Sequence, residues 1–161
     1  MEDYIYFDKS HKDYKLIIKL IIEQGNIICR GEFDNSVIKK SIEKLEYGYI
    51  HIQQKAQIGQ MKNKKKEFIG YSFIICTKKM DIPFITLICS RSNTKDGTKL
   101  LQLVEEKSIN EGYKYIAHHS IIEINLINWY KKQGFVIEDE IFIDYYDKKK
   151  PKVYLMSKKL M

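Results

Sequence analysis

Apolar residues recur along the chain with spacings that distinguish strands from helices. Residues 4–7 form a short strand-like run, and residues 13–24 place apolar side chains at helical spacing before Gly25. A capped amphipathic pattern predicts a second helix over residues 35–45. Residues 47–57 are ambiguous, although their β-branched and aromatic content favours a strand.

The second half of the chain has a clearer pattern. Two runs rich in β-branched and aromatic residues predict an antiparallel hairpin. Glycines then mark the start or end of two predicted helices, and two further strand patterns close the chain. The predicted strands are 67–76, 84–89, 113–120, 137–145 and 153–158, and the helices between them are 97–112 and 123–133. The pattern predicts an α/β domain.

Length and composition indicate one domain over residues 1–161. The chain is 44% apolar and 12% aromatic, which is enough to close a substantial core. It has two prolines and eight glycines, and no Gly/Ser-rich or Pro-rich stretch interrupts the apolar pattern. No linker is therefore predicted.

The sequence favours a soluble, cytoplasmic protein. The apolar run at residues 16–22 is broken by Lys19 and is shorter than a bilayer requires. Cys29, Cys76 and Cys89 form neither a C-x-x-C pair nor an even set, so we expect three buried thiols in a reducing compartment.

The net charge of +7 predicts attraction to anions. Lysines cluster at residues 62–66 and 148–152, where they are typical of solvated loops. Coenzyme A, nucleic acid and acidic protein surfaces are all anionic, so charge alone does not choose among them.

Three groups of residues could take part in binding or catalysis. A polar loop at residues 90–96 leads into a helix that opens at Gly97, and a helix N-terminus can hold phosphate; ordinary strand-to-helix turns have the same pattern. Tyr130 lies on a helix that closes at Gly134 and is either a core ring or a functional hydroxyl. His118 and His119 are successive strand residues that point to opposite faces, so no metal site is predicted.

Four segments together resemble the GNAT family of N-acetyltransferases. Residues 130–135 (YKKQGF) resemble the family's Y-x-K-x-G-F ending, and residues 68–72 (FIGYS) resemble its "iGy" strand. Residues 85–101 resemble its strand, pyrophosphate loop and helix, and residues 154–160 (YLMSKKL) resemble its closing strand. The resemblance implies a mixed, largely antiparallel sheet of six to seven strands flanked by about four helices.

The resemblance also implies the cofactor, acetyl-CoA, and its site. The backbone of Leu87, Ile88 and Cys89 would separate from the neighbouring strand and pair with the pantetheine arm. N–H groups of the following loop and helix start would hold the pyrophosphate; the residues concerned are Asn93, Thr94, Lys95, Asp96, Gly97 and Thr98. In the family's loop pattern, Q/R-x-x-G-x-G/A, Ser92 replaces the first residue and Lys95 the first glycine, whereas Gly97 fits.

The implied reaction is transfer of an acetyl group to a primary amine by direct attack. Tyr130 would approach the coenzyme sulfur as general acid, and His118, twelve residues earlier, would be the base on the other side of the thioester. Glu67, Glu123 or water are alternative bases. The acceptor, whether small molecule, peptide or protein, and the oligomeric state are not predicted.

Two other interpretations remain. A coenzyme-binding module without strong catalysis is favoured by the altered glycine loop. A small basic nucleic-acid-binding protein is favoured by the charge of +7 and the abundant tyrosines, but less so than the enzyme.

Overall fold

The structure is a computed structural model, and it describes residues 3–28, 35–52, 71–79, 81–91, 94–142 and 152–160. These residues form seven strands and four helices. In chain order the elements are β1 (Asp3–Phe7), α1 (Tyr14–Ile28), α2 (Asn35–Glu43), β2 (Tyr47–Ile52), β3 (Ser72–Lys79), β4 (Ile82–Cys89), α3 (Asp96–Asn110), β5 (Tyr115–Ile121), α4 (Ile124–Lys132), β6 (Val136–Phe142) and β7 (Lys152–Lys159). None of the helices in these ranges is long and apolar enough to cross a membrane.

The strands form one mixed sheet in the order β1-β2-β3-β4-β5-β7-β6. β4 and β5 run parallel, and the other neighbouring pairs in the described sheet are antiparallel. The parallel pair is made possible by α3, which carries the chain from the end of β4 back to the start of β5. The predicted mixed, largely antiparallel sheet with four helices is confirmed.

Helices cover both faces of the sheet. Because successive strand residues point to opposite faces, each central strand contributes to two separate cores. One core packs α1 and α2 against the sheet and includes Phe7, Ile17, Ile38, Phe73 and Leu87. The other packs α3 and α4 against the opposite face and includes Ile74, Leu100, Val104, Tyr130 and Phe135.

Gly48, the second residue of β2, lies where a side chain has no room. A Cβ on Gly48 would lie 2.5 Å from the carbonyl oxygen of Ile74 and 2.6 Å from the ring of Phe7, which crosses this position. We therefore expect Gly48→Ala to lower the free energy of unfolding by about 2 kcal/mol, the usual scale for an overpacked core. Gly112→Ala is the control, because its Cβ would meet nothing within 4 Å and only its φ of +89° is unfavourable. Urea unfolding of both variants measures the difference, and a loss no larger for Gly48→Ala would contradict the assignment.

Most differences from the predicted elements concern their ends. α1 continues to Ile28 through Gly25, because a single glycine costs a helix only about 1 kcal/mol and need not end it. β3 extends to Lys79 and β4 begins at Ile82, which leaves a shorter turn than predicted. The predicted segments 53–57, 67–70 and 143–145 lie outside the described residues.

The prediction of three thiols is wrong for Cys89, which is disulfide-bonded. Disulfide formation depends on the distance between Cα atoms in the fold, which the spacing of cysteines along this sequence did not reveal. Cys76 is a buried free thiol as predicted, and burial raises its pKa to about 12. Cys29 lies outside the described residues.

Candidate active site

An opening in the sheet separates β4 from β5. The two strands are paired only at Phe84 with Ala117 and at Ile85 with His118. Beyond these pairs β4 remains paired with β3 up to Cys89, and β5 remains paired with β7 up to Ile121. The sheet therefore opens like a wedge whose apex lies at His118. This confirms the predicted separation of β4 from its neighbour.

A bulge in β4 coincides with the apex. Ile75 is paired with Leu87 while Cys76 is paired with Ile85, so Thr86 is an extra residue in β4. A bulge bends its strand and increases the local twist, which turns the end of β4 away from β5. The Thr86 hydroxyl donates a hydrogen bond to the carbonyl of Ile75, 3.1 Å away, and fixes the bulge to β3.

The residues after the bulge line the opening with their backbone. Leu87 and Cys89 pack into the core on the α1 face, and Ile88 packs towards the α3 face. Backbone hydrogen-bonding groups of a strand point sideways, in the plane of the sheet. The β5 side of Leu87, Ile88 and Cys89 therefore presents backbone groups to the wedge, as an extended amide chain would require.

The N-terminus of α3 lies beside the end of β4. The N–H of Gly97 donates to the Ser90 hydroxyl at 3.2 Å, and the N–H of Asp96 donates to the Thr94 hydroxyl at 3.3 Å. Lys95 occupies the N-cap position without a side-chain cap. Two N-terminal donors of the helix are thus held by hydroxyls from the chain itself. Asn93 lies outside the described residues.

Gly97 is explained by close packing between α3 and α4. A Cβ on Gly97 would lie 3.2 Å from the Trp129 ring and 3.4 Å from the Cβ of Ser90, which is tighter than ordinary contact. Its backbone does not adopt the left-handed conformation, so the glycine is not required by a turn. Its predicted part in holding phosphate stays a prediction. The packing against Trp129 is a separate reason for a glycine at this position.

Asp96 has a role that the sequence did not indicate. Its side chain is 8% exposed and points into the protein, where Ser72, Arg91, His51 and Tyr4 surround it. The prediction concerned its backbone N–H, which donates to the Thr94 hydroxyl, and its part in holding phosphate stays a prediction. The contacts of this carboxylate depend on the register of β1, β2 and β3, which brings Tyr4, His51 and Ser72 together.

Tyr130 and His118 lie together at the apex of the wedge. Their ring centroids are 3.8 Å apart at an interplanar angle of 32°, and the ring of Phe135 packs on both. Tyr130 is 4% exposed and His118 is 1% exposed. The two rings are therefore in direct contact, tilted against each other. The predicted roles of Tyr130 as general acid and His118 as base stay predictions.

Burial determines the charge state of His118. It lowers the pKa of the imidazole to about 4, so the ring is neutral near pH 7. Neither ring nitrogen makes a hydrogen bond of normal geometry within the described part of the chain. His119 faces the opposite side of the sheet, with its ring centroid 4.7 Å from that of Phe84. Burial and the nearby Lys79 lower its pKa to about 4 as well.

The alternative bases are placed differently. Glu123 caps α4, where its carboxylate accepts hydrogen bonds from the N–H groups of Asn125 and Leu126 at 3.1 and 2.8 Å. Glu67 and the lysine run at 62–66, like most of the run at 148–152, lie outside the described residues. Within the described ranges, no group of three or more His, Cys, Asp or Glu residues is arranged to hold a metal ion.

Comparison with known proteins shows which fold carries this wedge. No protein-family model and no curated protein matches the sequence. Solved structures do match over nearly the whole chain, with probability 1.00. The chain has the GNAT acetyltransferase fold. The predicted resemblance is thereby confirmed for the fold.

Three structures illustrate the likeness. The ribosomal-protein-S18-alanine N-acetyltransferase from Escherichia coli has a TM-score of 0.66 and 14% identity, over 99% of this chain and 94% of that one. The IAA acetyltransferase from Bacillus cereus has a TM-score of 0.65 and 14% identity, over 99% of both chains. A chain of the NatC complex bound to Gag peptide and CoA has a TM-score of 0.61 and 17% identity, over 100% of both. At these identities the likeness shows the fold alone.

Proposed function

We propose that this protein is an acetyl-CoA-dependent N-acetyltransferase that transfers an acetyl group to a primary amine by direct attack. One observation carries the proposal. The wedge between β4 and β5 opens at His118, and the Tyr130 ring packs against that same residue. A buried phenol therefore lies at the apex of an opening lined by strand backbone.

The residues of the wedge fit the coenzyme. The backbone of Leu87, Ile88 and Cys89 offers donors and acceptors to an extended amide chain such as pantetheine. The N-terminus of α3 carries partial positive charge beside the end of β4, and the net charge of +7 adds attraction for an anion. NatC, which shares the fold, was solved with CoA bound.

Proton transfer is assigned to two side chains. Acetyl-CoA, when bound, would supply the thioester whose acyl carbon the amine attacks and whose thiolate leaves. The Tyr130 hydroxyl would donate its proton to that departing sulfur, for which a phenol is a suitable acid. We keep His118 as the candidate base. Because its pKa is about 4, it would accept a proton only as a weak base, and Glu67 or water are the alternatives.

A binding module without strong catalysis is the second candidate. The N–H groups of Asp96 and Gly97 already donate to Thr94 and Ser90, and Lys95 stands where the family prefers glycine. An anion would have to displace these hydroxyls or use neighbouring donors. This arrangement favours weaker coenzyme binding than an unobstructed helix N-terminus would give.

Coenzyme binding is tested by thermal unfolding. A ligand that binds only the folded state at 100 times its Kd adds about 2.7 kcal/mol, so we expect acetyl-CoA and CoA each to raise the Tm by about 5 °C or more. ATP at the same concentration is the control for attraction of any adenine-bearing polyanion to a basic protein. If acetyl-CoA and CoA shift the Tm no more than ATP does, the cofactor proposal fails.

A thiol-release assay then separates the enzyme from the binding module. An acetyltransferase releases free CoA only when a mixture of primary amines is present, whereas a binding module shows the Tm shift without release. The amine that supports release identifies the acceptor class.

A further inference from the structure

A polar row crosses three strands beneath the start of α3. Tyr4 in β1 is paired with His51 in β2, and His51 is paired with Ser72 in β3. Directly paired residues share a face of the sheet, so all three side chains lie on the α3 side. The rings of Tyr4 and His51 are stacked with centroids 4.2 Å apart. The first residue of α3, Asp96, lies over this row.

The Asp96 carboxylate accepts hydrogen bonds from Tyr4, Ser72 and Arg91, and the ring of His51 lies beside it. One oxygen, Oδ2, lies 2.7 Å from the Ser72 hydroxyl, 2.9 Å from Arg91 Nη2 and 3.2 Å from His51 Nδ1. The other oxygen, Oδ1, accepts from the Tyr4 hydroxyl at 3.3 Å. Burial alone would raise the pKa of Asp96, but Ser72, His51 and the Arg91 charge together hold it below its ordinary value. The carboxylate is thus buried and ionised.

The same network reaches the end of β4. The Ser72 hydroxyl, which donates to Asp96, also accepts a hydrogen bond from the N–H of Arg91 at 2.9 Å. The Arg91 side chain returns to Asp96 through Nε and Nη2. Arg91 follows β4 closely and Asp96 begins α3, so the network ties the end of the strand to the start of the helix.

We propose that Asp96 is a positioning residue, which holds the first turn of α3 against the end of β4 and so aims the helix N-terminus at an anionic group of the coenzyme. This inference rests on the proposed function. Because Arg91 neutralises the carboxylate, the helix keeps its partial positive charge for an external anion. The carboxylate itself does not contact the ligand.

The variant Asp96→Asn tests the inference, because it keeps the shape of the side chain and removes its charge. An amide opposed to Arg91 and Ser72 loses hydrogen bonds that a carboxylate makes. We expect the Kd for acetyl-CoA to rise about tenfold or more, while kcat at saturation changes less than about threefold because Tyr130 is untouched. Amide hydrogen exchange at Gly97 in the absence of coenzyme should accelerate about tenfold or more.

A matched control removes another ion pair from the same helix. Glu105→Gln breaks the pair between Glu105 in α3 and Lys158 in β7, whose side chains are 17% and 24% exposed. It should lower global stability without changing the Kd for acetyl-CoA or the exchange of Gly97. Ser72→Ala is the milder variant. It should raise the Kd for acetyl-CoA and the exchange rate of Gly97 by about threefold each, in the same direction as Asp96→Asn.

A double-mutant cycle shows whether Asp96 acts through Arg91. If Asp96 and Arg91 act through the same interaction, the double variant Asp96→Asn with Arg91→Gln weakens coenzyme binding less than the sum of the two single changes. The inference is overturned if Asp96→Asn binds acetyl-CoA like the wild type with unchanged exchange at Gly97, or if Glu105→Gln weakens binding equally. If the wild type binds no coenzyme, the proposed function fails, and exchange at Gly97 alone decides whether Asp96 holds the helix start.

Discussion

Replacement of Tyr130 by phenylalanine is expected to lower the turnover of acetyl transfer about 100-fold while leaving the Kd for acetyl-CoA nearly unchanged. The change removes one oxygen from a residue that is 4% exposed and preserves the ring that packs against His118. Packing at the apex of the wedge is therefore kept, and only the proton donor is lost. Steady-state kinetics with a saturating amine, together with titration of acetyl-CoA, separate the two effects.

Tyr47→Phe is the matched control for this prediction. Tyr47 is 7% exposed and belongs to the same core cluster, but it lies at the start of β2, away from the wedge. Loss of its hydroxyl should leave turnover within about twofold of the wild type, because it does not reach the site. Full activity of Tyr130→Phe would mean that Tyr130 is a core residue and that water or another group protonates the sulfur.

The elements of the fold could be predicted because their signals are local. The apolar stripe of α3, with Leu100 and Val104 buried, follows helical spacing and ends at Gly112, whose φ is positive. Gly134 likewise closes α4 with a positive φ. Each of these signals acts over a few residues, so the sequence alone is sufficient to place it.

The geometry of the site depended on register, which local patterns do not encode. Tyr4, His51 and Ser72 are far apart in sequence and meet Asp96 only because β1, β2 and β3 pair as they do. A family resemblance indicates Tyr130 and His118, but the contact between their rings follows from how α4 packs on β5. The contact between the two rings was therefore the part of the site geometry that the sequence did not predict.

Gly97 is a second case in which the sequence pattern did not identify the contact that the residue makes. A glycine at a helix start predicts that another group approaches the backbone closely, but the sequence alone does not identify that group. In the structure the close neighbour is the Trp129 ring at 3.2 Å from a Cβ at this position. A glutamate at Gly97 would thus disturb the contact between α3 and α4 as well as repel an anion, and is a poor test of phosphate binding alone.

Acidification is expected to destabilise the protein through His118. Burial lowers the pKa of this histidine from 6.5 to about 4, so between these values the unfolded chain binds more protons than the folded one. The resulting stability is fully present above about pH 6.5 and is lost as the pH falls through about 4. The loss amounts to roughly 3 kcal/mol if the unfolded chain has the ordinary histidine pKa.

Two measurements check this expectation. The free energy of urea unfolding of the wild type should fall between pH 6.5 and 4.5, and the slope should be shallower in His118→Asn, which cannot titrate. His119→Asn is the control; because that ring is only partly buried, solvent screens it more than His118 and its removal should flatten the slope less. NMR titration of the wild-type imidazoles assigns the pKa directly. A His118 pKa near 6.5 would show that water reaches the ring.

The same titration decides what His118 can do in catalysis. If His118 is the base and keeps its pKa of about 4 with acetyl-CoA bound, kcat plotted against pH should fall on the acidic side near pH 4. His118→Asn should abolish that acidic limb of the profile. If His118 only supports the Tyr130 ring, His118→Asn should lower kcat without moving the limb. An unchanged kcat in His118→Asn would exclude both roles, and would leave water or a carboxylate as the base that receives the proton of the amine.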